Sequence, residues 1–337
     1  MPERELTGHD ASLAALRRAN MITCALYLRD HGSATVTQLA EACALSRPTV
    51  RAVLEDLGDI GLVEPESMTV PLGRGGGRPA QIFRLRSEAH LVAGVEIRER
   101  RCRVVVADLA GGVAAYADEP AGSGDRLEEA VTLAQSLSAG VGVGRLLALG
   151  IGVPGVVDAE TGRRDASTVI PEWNGVDLRE TVGRLTDLPV AVDNDINLAA
   201  VAESRWGAGA QVQDLIYALV WHQVSAGVII GRRLHRGRHN SAGEISYLHA
   251  SVGAPDPEWE TEASVRSLVG RAAAGDQAAL ASVGDFATRA GAQVAALTMA
   301  IDPDVVVLGG ELADADPLLT DLIDAAVYTS ETPTGKP

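Results

Sequence analysis

The stretch 91–118, LVAGVEIRERRCRVVVADLAGGVAAYAD, contains three apolar segments joined by one charged corner and one glycine-containing corner. Each segment has the length of a β-strand, and together they predict three consecutive strands. The charged corner at 98–101 reads RERR, where a tight hairpin turn usually carries glycine or asparagine. A helical pattern follows at 126–137, so the stretch opens an α/β domain.

Strands and helices continue to alternate along the rest of the chain. Three strands followed by a crossover occur twice, which predicts two similar α/β lobes around a cleft. The further predicted strands are 146–155, 190–194, 215–221, 226–231, 232–237 and 304–312, and the further predicted helices are 177–185, 196–206 and a pair between Glu262 and Ile301.

Charge separates the first ninety residues from the rest of the 337-residue chain. Residues 1–90 hold ten basic and eleven acidic side chains, whereas residues 91–337 hold 19 and 34 and carry nearly all of the net charge of −16. The total argues against nucleic acid as a partner, but the distribution is the one expected of a near-neutral DNA reader attached to an acidic sensing domain.

Membrane, secretory and disulfide-stabilised classes are not indicated. No apolar run reaches the roughly 18 to 20 residues that cross a bilayer, and the N-terminus lacks a charged segment followed by an apolar one. The three cysteines, Cys24, Cys43 and Cys102, are scattered and fit neither a disulfide framework nor a CxxC metal site. The cytoplasm is the expected compartment.

Residues 11–30 have helical periodicity, and 35–63 predicts two short helices with a tight joint. Thr37 is the predicted N-cap of the first short helix, and Ser46 that of the second. This pattern is typical of a helix-turn-helix, in which the start of the second helix reaches base edges and its free N–H groups favour phosphate. The outward residues there are Ser46, Arg47, Thr49, Arg51 and Ala52, of which the first four are the expected DNA contacts, and the inward stripe is Val50, Val53, Leu54 and Leu57.

Two strands at 62–65 and 81–85, with a loop between them, complete a winged form. The loop segment 73–80, GRGGGRPA, places Arg74 and Arg78 beside glycine or proline, and such arginines enter a narrow A·T minor groove. Two alternatives stay open: the glycines form a flexible linker between domains, or the winged fold contacts protein.

Six segments stand in a fixed order: GIGVPGVVDAETG (150–162), VIPEWNGVDL (169–178), VDNDINLAAVAE (192–203), LHRGRHNSAGEI (234–245), WETEAS (259–264) and DPDVVVLGGEL (302–312). As a set they resemble the ROK family of repressors, open reading frames and sugar kinases. The resemblance implies an α/β fold with a winged helix-turn-helix domain over 1–88 and a two-lobed actin-like ATPase domain of the sugar-kinase type over 89–327. Residues 328–337 form a predicted disordered tail.

The resemblance also implies that both phosphate loops are lost. Where family kinases carry DIGGT, this chain has Glu96 for the aspartate and RER at 98–100; where they carry GTGIGAG, residues 221–227 read WHQVSAG. Bulky side chains replace the glycines that let backbone N–H groups surround phosphate oxygens. We therefore expect no ATP-dependent phosphoryl transfer and no enzyme, with Asp195 a vestigial base. The charged corner is expected to be solvated and paired through Glu99, or alternatively to form a new anion site.

The sugar-contacting residues of the family fall on Asn174, Asn194, Asp195, Glu244, Tyr247 and Glu260. Tyr247 stands where the family has histidine, and the cysteine cluster that binds zinc with that histidine is absent, so neither a metal nor a cofactor is expected. Carboxylates and amides suit a sugar because each can bind neighbouring hydroxyls. For Asp195, a role as helix N-cap before Ile196 stays open.

Together these features predict a ROK-type DNA-binding transcriptional regulator, expected to be a repressor, whose degenerate sugar-kinase domain senses a sugar or sugar derivative and dimerises. The predicted partners are double-stranded DNA, a sugar effector and further copies of the chain in a homodimer or homotetramer. Two alternatives stay open: a glucokinase-like ROK sugar kinase with an added DNA-binding domain, and a regulator that acts without a small ligand.

Overall fold

The computed structural model describes residues 8–69, 80–122, 124–167, 169–220, 224–245, 262–310 and 317–329. The chain divides into two compact units. The first comprises Met1–Gly150 and Val182–Ala191, and the second comprises Ile151–Thr181 and Val192–Pro337. The boundary predicted between residues 88 and 89 therefore lies inside the first unit.

The first unit begins with three helices and a small antiparallel sheet. The elements are α1 (Gly8–His31), β1 (Ser33–Thr35), α2 (Val36–Ala42), α3 (Arg47–Asp59), β2 (Val63–Thr69) and β3 (Ala80–Leu85). Strand β3 lies in the middle of the sheet and pairs with both β1 and β2. Sequence reasoning missed β1, because three residues are too few to show an alternating pattern.

The three helices share one apolar core. The predicted inward stripe of α3 is confirmed, since all four of its residues are buried. Leu109, from the large sheet that follows, packs against this core, and its N–H donates to the Ser87 carbonyl at 3.1 Å. The buried members of the core are Cys24, Leu28, Ala34, Leu39, Val50, Val53, Leu54, Leu57, Val63 and Leu85.

The two predicted N-caps have different outcomes. Ser46 caps α3 as predicted, because its Oγ accepts the Thr49 N–H at 3.2 Å. The N-cap predicted for α2 is wrong: Thr35 caps that helix, and Thr37 lies in its first turn. The physical reason is a capping box, in which the side chains of Gln38 and Thr35 each accept the other residue's backbone N–H, at 2.8 and 3.3 Å.

A five-stranded sheet follows, in the order β10-β7-β4-β5-β6. Its strands are β4 (His90–Ile97), β5 (Arg101–Asp108), β6 (Val113–Pro120), β7 (Arg145–Val153) and β10 (Val190–Asn194). The three strands predicted from 91–118 are confirmed as an antiparallel meander. Helix α4 (Arg126–Val141) is capped by Asp125 and buries one face, and α5 is Leu178–Leu185.

The second unit contains a hairpin and a four-stranded sheet. The hairpin strands are β8 (Val156–Asp158) and β9 (Arg163–Ala166), which were not predicted as strands. The sheet has the order β13-β12-β11-β14, with β11 (Leu215–Val220), β12 (Val224–Ile230), β13 (Arg233–Leu234) and β14 (Val305–Gly309). Strand β14 runs parallel to β11, and β12 runs antiparallel to it.

Within the residues that the structure describes, four α-helices lie wholly in the second unit. They are α6 (Asp195–Trp206), α7 (Glu262–Ala273), α8 (Gln277–Ile301) and α9 (Pro317–Thr329). Helix α9 extends two residues into the predicted tail, whose remainder, 330–337, lies outside the described residues. None of the helices in the described part of the chain is long and apolar enough to cross a membrane.

Candidate functional site

The start of α3 presents the predicted DNA-contacting residues on its outer surface. Arg47 and Arg51 are exposed, Ser46 is exposed at the cap, and Thr49 is half-buried. The Ser46 and Thr49 hydroxyls lie 2.7 Å apart and share a hydrogen bond. The two hydroxyls thus order the first turn, while the two guanidinium groups are free to reach away from it.

The C-terminal half of α3 forms an ion pair with α1. Arg17 on α1 forms an ion pair with Asp56 on α3, and the hydrogen bond from Arg17 lowers the pKa of Asp56. The contact is exposed, so its effect is on orientation more than on stability. Because Asp56 pairs with Arg17, it does not neutralise the outward arginines near the N-terminus of α3.

The arginines beside the predicted wing fall into two groups. Arg84 forms ion pairs with Glu64 and with Glu88, the latter at 3.2 Å, and Arg86 contacts Glu64 at 3.3 Å. Their charge is therefore largely neutralised within the protein. The other two, Arg74 and Arg78, lie outside the described residues, and so their predicted entry into a minor groove stays a prediction.

The charged corner of the large sheet closes without a glycine. The Arg98 N–H donates to the Arg101 carbonyl at 2.9 Å, which joins β4 and β5 by a two-residue turn. The described non-glycine residues with positive φ do not include either residue of that turn, Glu99 or Arg100. The corner thus avoids the left-handed backbone that favours glycine.

The partners of the corner arginines differ from the prediction, which paired them through Glu99. Glu96 accepts from Arg98 Nε at 2.7 Å and from Arg103 Nη1 at 3.2 Å. Asp118 accepts from Arg101 Nε at 2.9 Å and from Arg103 Nε at 3.2 Å.

These contacts follow from strand register, because Glu96 lies opposite Arg103 and Arg103 lies opposite Asp118. Burial alone would raise the pKa of Asp118, but its hydrogen bonds to Arg101 and Arg103 outweigh burial and hold that pKa low. We call Glu96, Arg103 and Asp118 the charge ladder.

The second predicted phosphate loop is described only in part. Residues 221–223 lie outside the described residues, and Val224–Gly227 form the start of β12, paired with β11. A Cβ on Gly227 would lie 2.5 Å from the Ala200 Cβ and 2.8 Å from the Ile196 carbonyl oxygen. This glycine therefore allows β12 to pack against α6.

The candidate ligand site lies at the N-terminus of α6. Asn194 is the N-cap: its Oδ1 accepts the N–H groups of Ile196 and Asn197, both at 2.9 Å, and Asp195 Oδ1 also accepts the Ile196 N–H at 3.0 Å. Its Nδ2 donates to the Gly155 carbonyl at 2.9 Å. Asn194 occupies the N-cap position because it directly precedes the helix, whereas Asp195 is the first helical residue. Most of the Asn194 amide is thereby used inside the protein.

Asp195 lies close enough to Glu244 for its charge to act on that carboxyl group. Asp195 is half-buried, and burial together with the charge of Asp195 raises the pKa of Glu244 above its ordinary value. Gly243 anchors this segment, because the Ala226 N–H donates to its carbonyl at 2.8 Å. A protonated Glu244 can donate to a hydroxyl while Asp195 accepts, which suits a polyol.

Of the other predicted ligand residues, the structure describes Asn174, whose amide is engaged within its own loop. Asn174 is exposed, and its Oδ1 accepts from Arg164 Nη2 and from the Ser167 N–H, both at 3.0 Å. Its amide thus orders the loop after β9. Tyr247 and Glu260 lie outside the described residues. Within the described ranges, no three His, Cys, Asp or Glu side chains are placed to hold a metal ion.

Sequence reasoning missed three buried or half-buried charged groups. Arg164 on β9 is fully buried, donates to the carbonyls of Val169 and Ile170, both at 2.7 Å, and has its pKa lowered by burial. Asp193 is buried and forms an ion pair with Arg236. No local periodicity identifies these residues, because their partners are set by tertiary contacts.

These features define a mixed α/β protein that shares its fold with actin-like sugar kinases. A solved ROK family glucokinase from Streptomyces griseus, in complex with glucose and AMPPNP, superposes with a TM-score of 0.58 over 73% of this chain and 92% of that chain, at 23% identity. The ROK family model matches residues 93–258 and 248–331, and the chain belongs to the ROK family.

Similar relatives include regulators and kinases. The xylose repressor of Caldicellulosiruptor bescii is 26% identical over 69% of this chain, and that of Bacillus subtilis (strain 168) is 24% identical over 69%. The chain spans 59% and 62% of the lengths of those two repressors. The glucokinase of Streptomyces coelicolor is 28% identical over 69% of this chain and 86% of its own length.

One structural likeness extends into the N-terminal helices. A solved ROK family transcriptional regulator, a homolog of the E. coli MLC protein, superposes with a TM-score of 0.68 at 18% identity. The match covers 90% of this chain and 85% of that chain. At this identity the likeness concerns the fold.

Proposed function

We propose that the chain is a transcriptional repressor that reads DNA with an N-terminal winged helix-turn-helix and senses a sugar or sugar derivative with a kinase-like body. The observation that carries the proposal is the outer surface of α3. Arg47 and Arg51 are exposed on a helix whose cap is satisfied and whose opposite face is buried. Likeness to xylose repressors supports the same role.

Recognition of DNA is proposed to use both parts of the winged domain. Ser46, Arg47, Thr49 and Arg51 would meet the major groove and its phosphates, and the wing arginines Arg74 and Arg78 would enter the minor groove. A homodimer or homotetramer would present two such heads to half-sites related by two-fold symmetry. The cytoplasm is the proposed compartment.

Sensing is proposed to centre on Asp195 and Glu244, with Asn194, Tyr247 and Glu260 around them. Two half-buried carboxyl groups near each other, one with a raised pKa, favour a neutral polyhydroxyl ligand, since one group can donate while the other accepts. Asn174 would act indirectly, through the loop that it orders. An effector that binds one conformation better would weaken DNA binding, and DNA would weaken effector binding by the same factor.

The body is proposed to have no kinase activity. The Glu96 carboxylate that stands in the first phosphate loop already accepts from two guanidinium groups, and the turn after it carries charged side chains where phosphate would need bare backbone. A second candidate, a sugar kinase with a DNA-binding domain, is favoured by the glucokinase likeness. A regulator without a small-molecule effector is the third.

One experiment tests the DNA-reading role. Fragments of the source genome are captured by the purified chain and sequenced, and affinity for the recovered sites is then measured by fluorescence anisotropy across a salt series. Because each phosphate contact contributes about 0.9 to the slope of log K against log salt, the Arg47→Ala/Arg51→Ala variant is expected to lower that slope by up to about 1.8. Arg289→Ala, at an exposed arginine on α8, is the charge control and should leave the slope unchanged.

Two results would count against the proposal. Equal slopes for wild type and the double variant would remove α3 from the interface. Transfer of phosphate from ATP to D-glucose or D-xylose, abolished by Asp195→Asn, would establish the kinase candidate instead.

A further inference from the structure

A partly buried ion pair joins the two segments that carry the candidate ligand site. Asp193, at the end of β10, has a side chain that is 8% exposed, and it pairs with Arg236 Nη2. Arg236 follows β13 and precedes the segment that ends at Glu244. The ion pair thus links two residues that are far apart in sequence, and each of them lies in one of the two segments that carry the candidate ligand site.

On its first side, the pair reaches Asp195 through the backbone. Asp193 Oδ1 accepts the Asn194 N–H at 2.8 Å while its other oxygen binds Arg236. Asn194 in turn caps α6 and donates to the Gly155 carbonyl. The direction in which α6 begins, and with it the position of Asp195, is therefore fixed by groups that Asp193 holds.

On its second side, the pair reaches Glu244 through a short loop. The His235 N–H donates to the Val228 carbonyl at 2.7 Å, which fixes the residue before Arg236 on β12. The Arg236 carbonyl accepts the Ala242 N–H at 3.1 Å, and the next residue, Gly243, is bonded to β12 through Ala226. Movement of Arg236 would therefore move the segment that presents Glu244.

We propose that Arg236 is a positioning residue, which keeps the segment that presents Glu244 close to Asp195 through its ion pair with Asp193. The importance of this contact for sensing rests on the proposed function, but the contact itself can be tested without any ligand. Arg236 acts as a clamp across the two segments, and breaking the clamp is expected to separate the two carboxyl groups and open Glu244 to water.

The test follows the titration of Glu244 by carbon-13 NMR of glutamate-labelled full-length protein, with the signal identified by its loss in Glu244→Gln. In Arg236→Met the pKa of Glu244 is expected to fall from its raised value towards the ordinary value of about 4.3, since burial and Asp195 both raise it. An arginine that acted only through its charge would give the opposite sign, because removing a positive charge raises the pKa of a nearby acid.

Three further variants sharpen the result. Arg236→Lys keeps the charge and is expected to restore part of the raised pKa. Arg232→Met removes a neighbouring arginine that donates to the Ala210 and Val212 carbonyls, and it should leave the titration of Glu244 unchanged. Asp193→Asn keeps an acceptor for the Asn194 N–H but breaks the ion pair, so it should act like Arg236→Met and serves if that variant does not fold.

Calorimetric titration with D-xylose and D-glucose separates the clamp from the sensing role. If wild type binds either sugar, Arg236→Met should bind it about tenfold or more weakly, whereas Arg232→Met should match wild type. If wild type binds neither, sensing of these sugars fails, and the NMR result still decides the clamp. An unchanged or raised pKa of Glu244 in folded Arg236→Met and Asp193→Asn would overturn the proposal.

Discussion

Replacing Gly243 with alanine tests whether the segment before Glu244 is built for close contact with β12. Gly243 has a φ of +90°, in the left-handed region that side chains rarely adopt. A Cβ there would lie 1.8 Å from the Ala226 carbonyl oxygen and 2.8 Å from the carbonyl carbon. Since both obstacles are backbone atoms, no side-chain rotation relieves the overlap.

The expected loss is large for a single methyl group. Strained backbone costs about 1–3 kcal/mol, and loss of the bond between the Ala226 N–H and the Gly243 carbonyl costs about 0.5–1.5 kcal/mol more. We therefore expect the Gly243→Ala variant to lose about 2–4 kcal/mol of unfolding free energy in the second unit. Displacement of Glu244 from Asp195 should accompany it.

Urea unfolding followed by tryptophan fluorescence measures this loss, because all four tryptophans lie in the second unit. Gly270→Ala is the matched control: a Cβ added to this glycine on α7 would meet no atom within 4 Å, so alanine should add about 0.5–1 kcal/mol. A Gly243→Ala protein within about 0.5 kcal/mol of wild type would refute the close contact.

For three other changes, the structure predicts the direction of the effect on stability. Thr35→Ala should cost α2 about 1 kcal/mol of local stability, whereas Thr37→Ala should cost less than about 0.5, as measured by hydrogen exchange of the α2 amides. Because the folded-state pKa of Glu244 is raised, the native state binds an extra proton, so stability should decline as pH rises from the ordinary glutamate pKa to the raised one. Glu244→Gln should remove that decline in urea midpoints measured across pH. The Asp304 carboxylate accepts two backbone N–H groups just before β11, and these hydrogen bonds lower its pKa. The stability that the ionised carboxylate contributes to the fold should therefore be lost as pH falls towards that lowered pKa. The Asp304→Asn variant should show a smaller loss of unfolding free energy in acid.

Local chemistry explains what could be predicted of the N-terminal helices. The stripe and cap of α3 depend on residues within one or two turns, and the structure has both as predicted. The error at α2 is also local: Thr35 and Thr37 are equally good caps by type, but only Thr35 has a glutamine three residues later to complete the box. The capping-box pattern therefore identifies Thr35 from the sequence, whereas a rule that considers the cap residue alone does not.

Tertiary register explains what could not be predicted of the site. The pairing of Arg103 with both Glu96 and Asp118 needs the alignment of three strands, and the turn alone suggested Glu99 instead. The contact between Asp193 and Arg236 joins residues 43 positions apart. Neither contact leaves a periodic signal, because its geometry arises only when separate elements pack.

The charge ladder bears directly on the choice between regulator and kinase. In the ladder, Glu96 stands where the resemblance places the family kinases' aspartate, and its two oxygens accept from Arg98 and Arg103. An anion drawn to Arg98 would compete with this carboxylate, and the negative charge of Glu96 would repel a polyanionic nucleotide. We therefore do not expect the positive residues at this corner to form a phosphate site. These arginines instead pair with acids on neighbouring strands, which stabilises the sheet, and the proposed sensing role is assigned to Asp195 and Glu244.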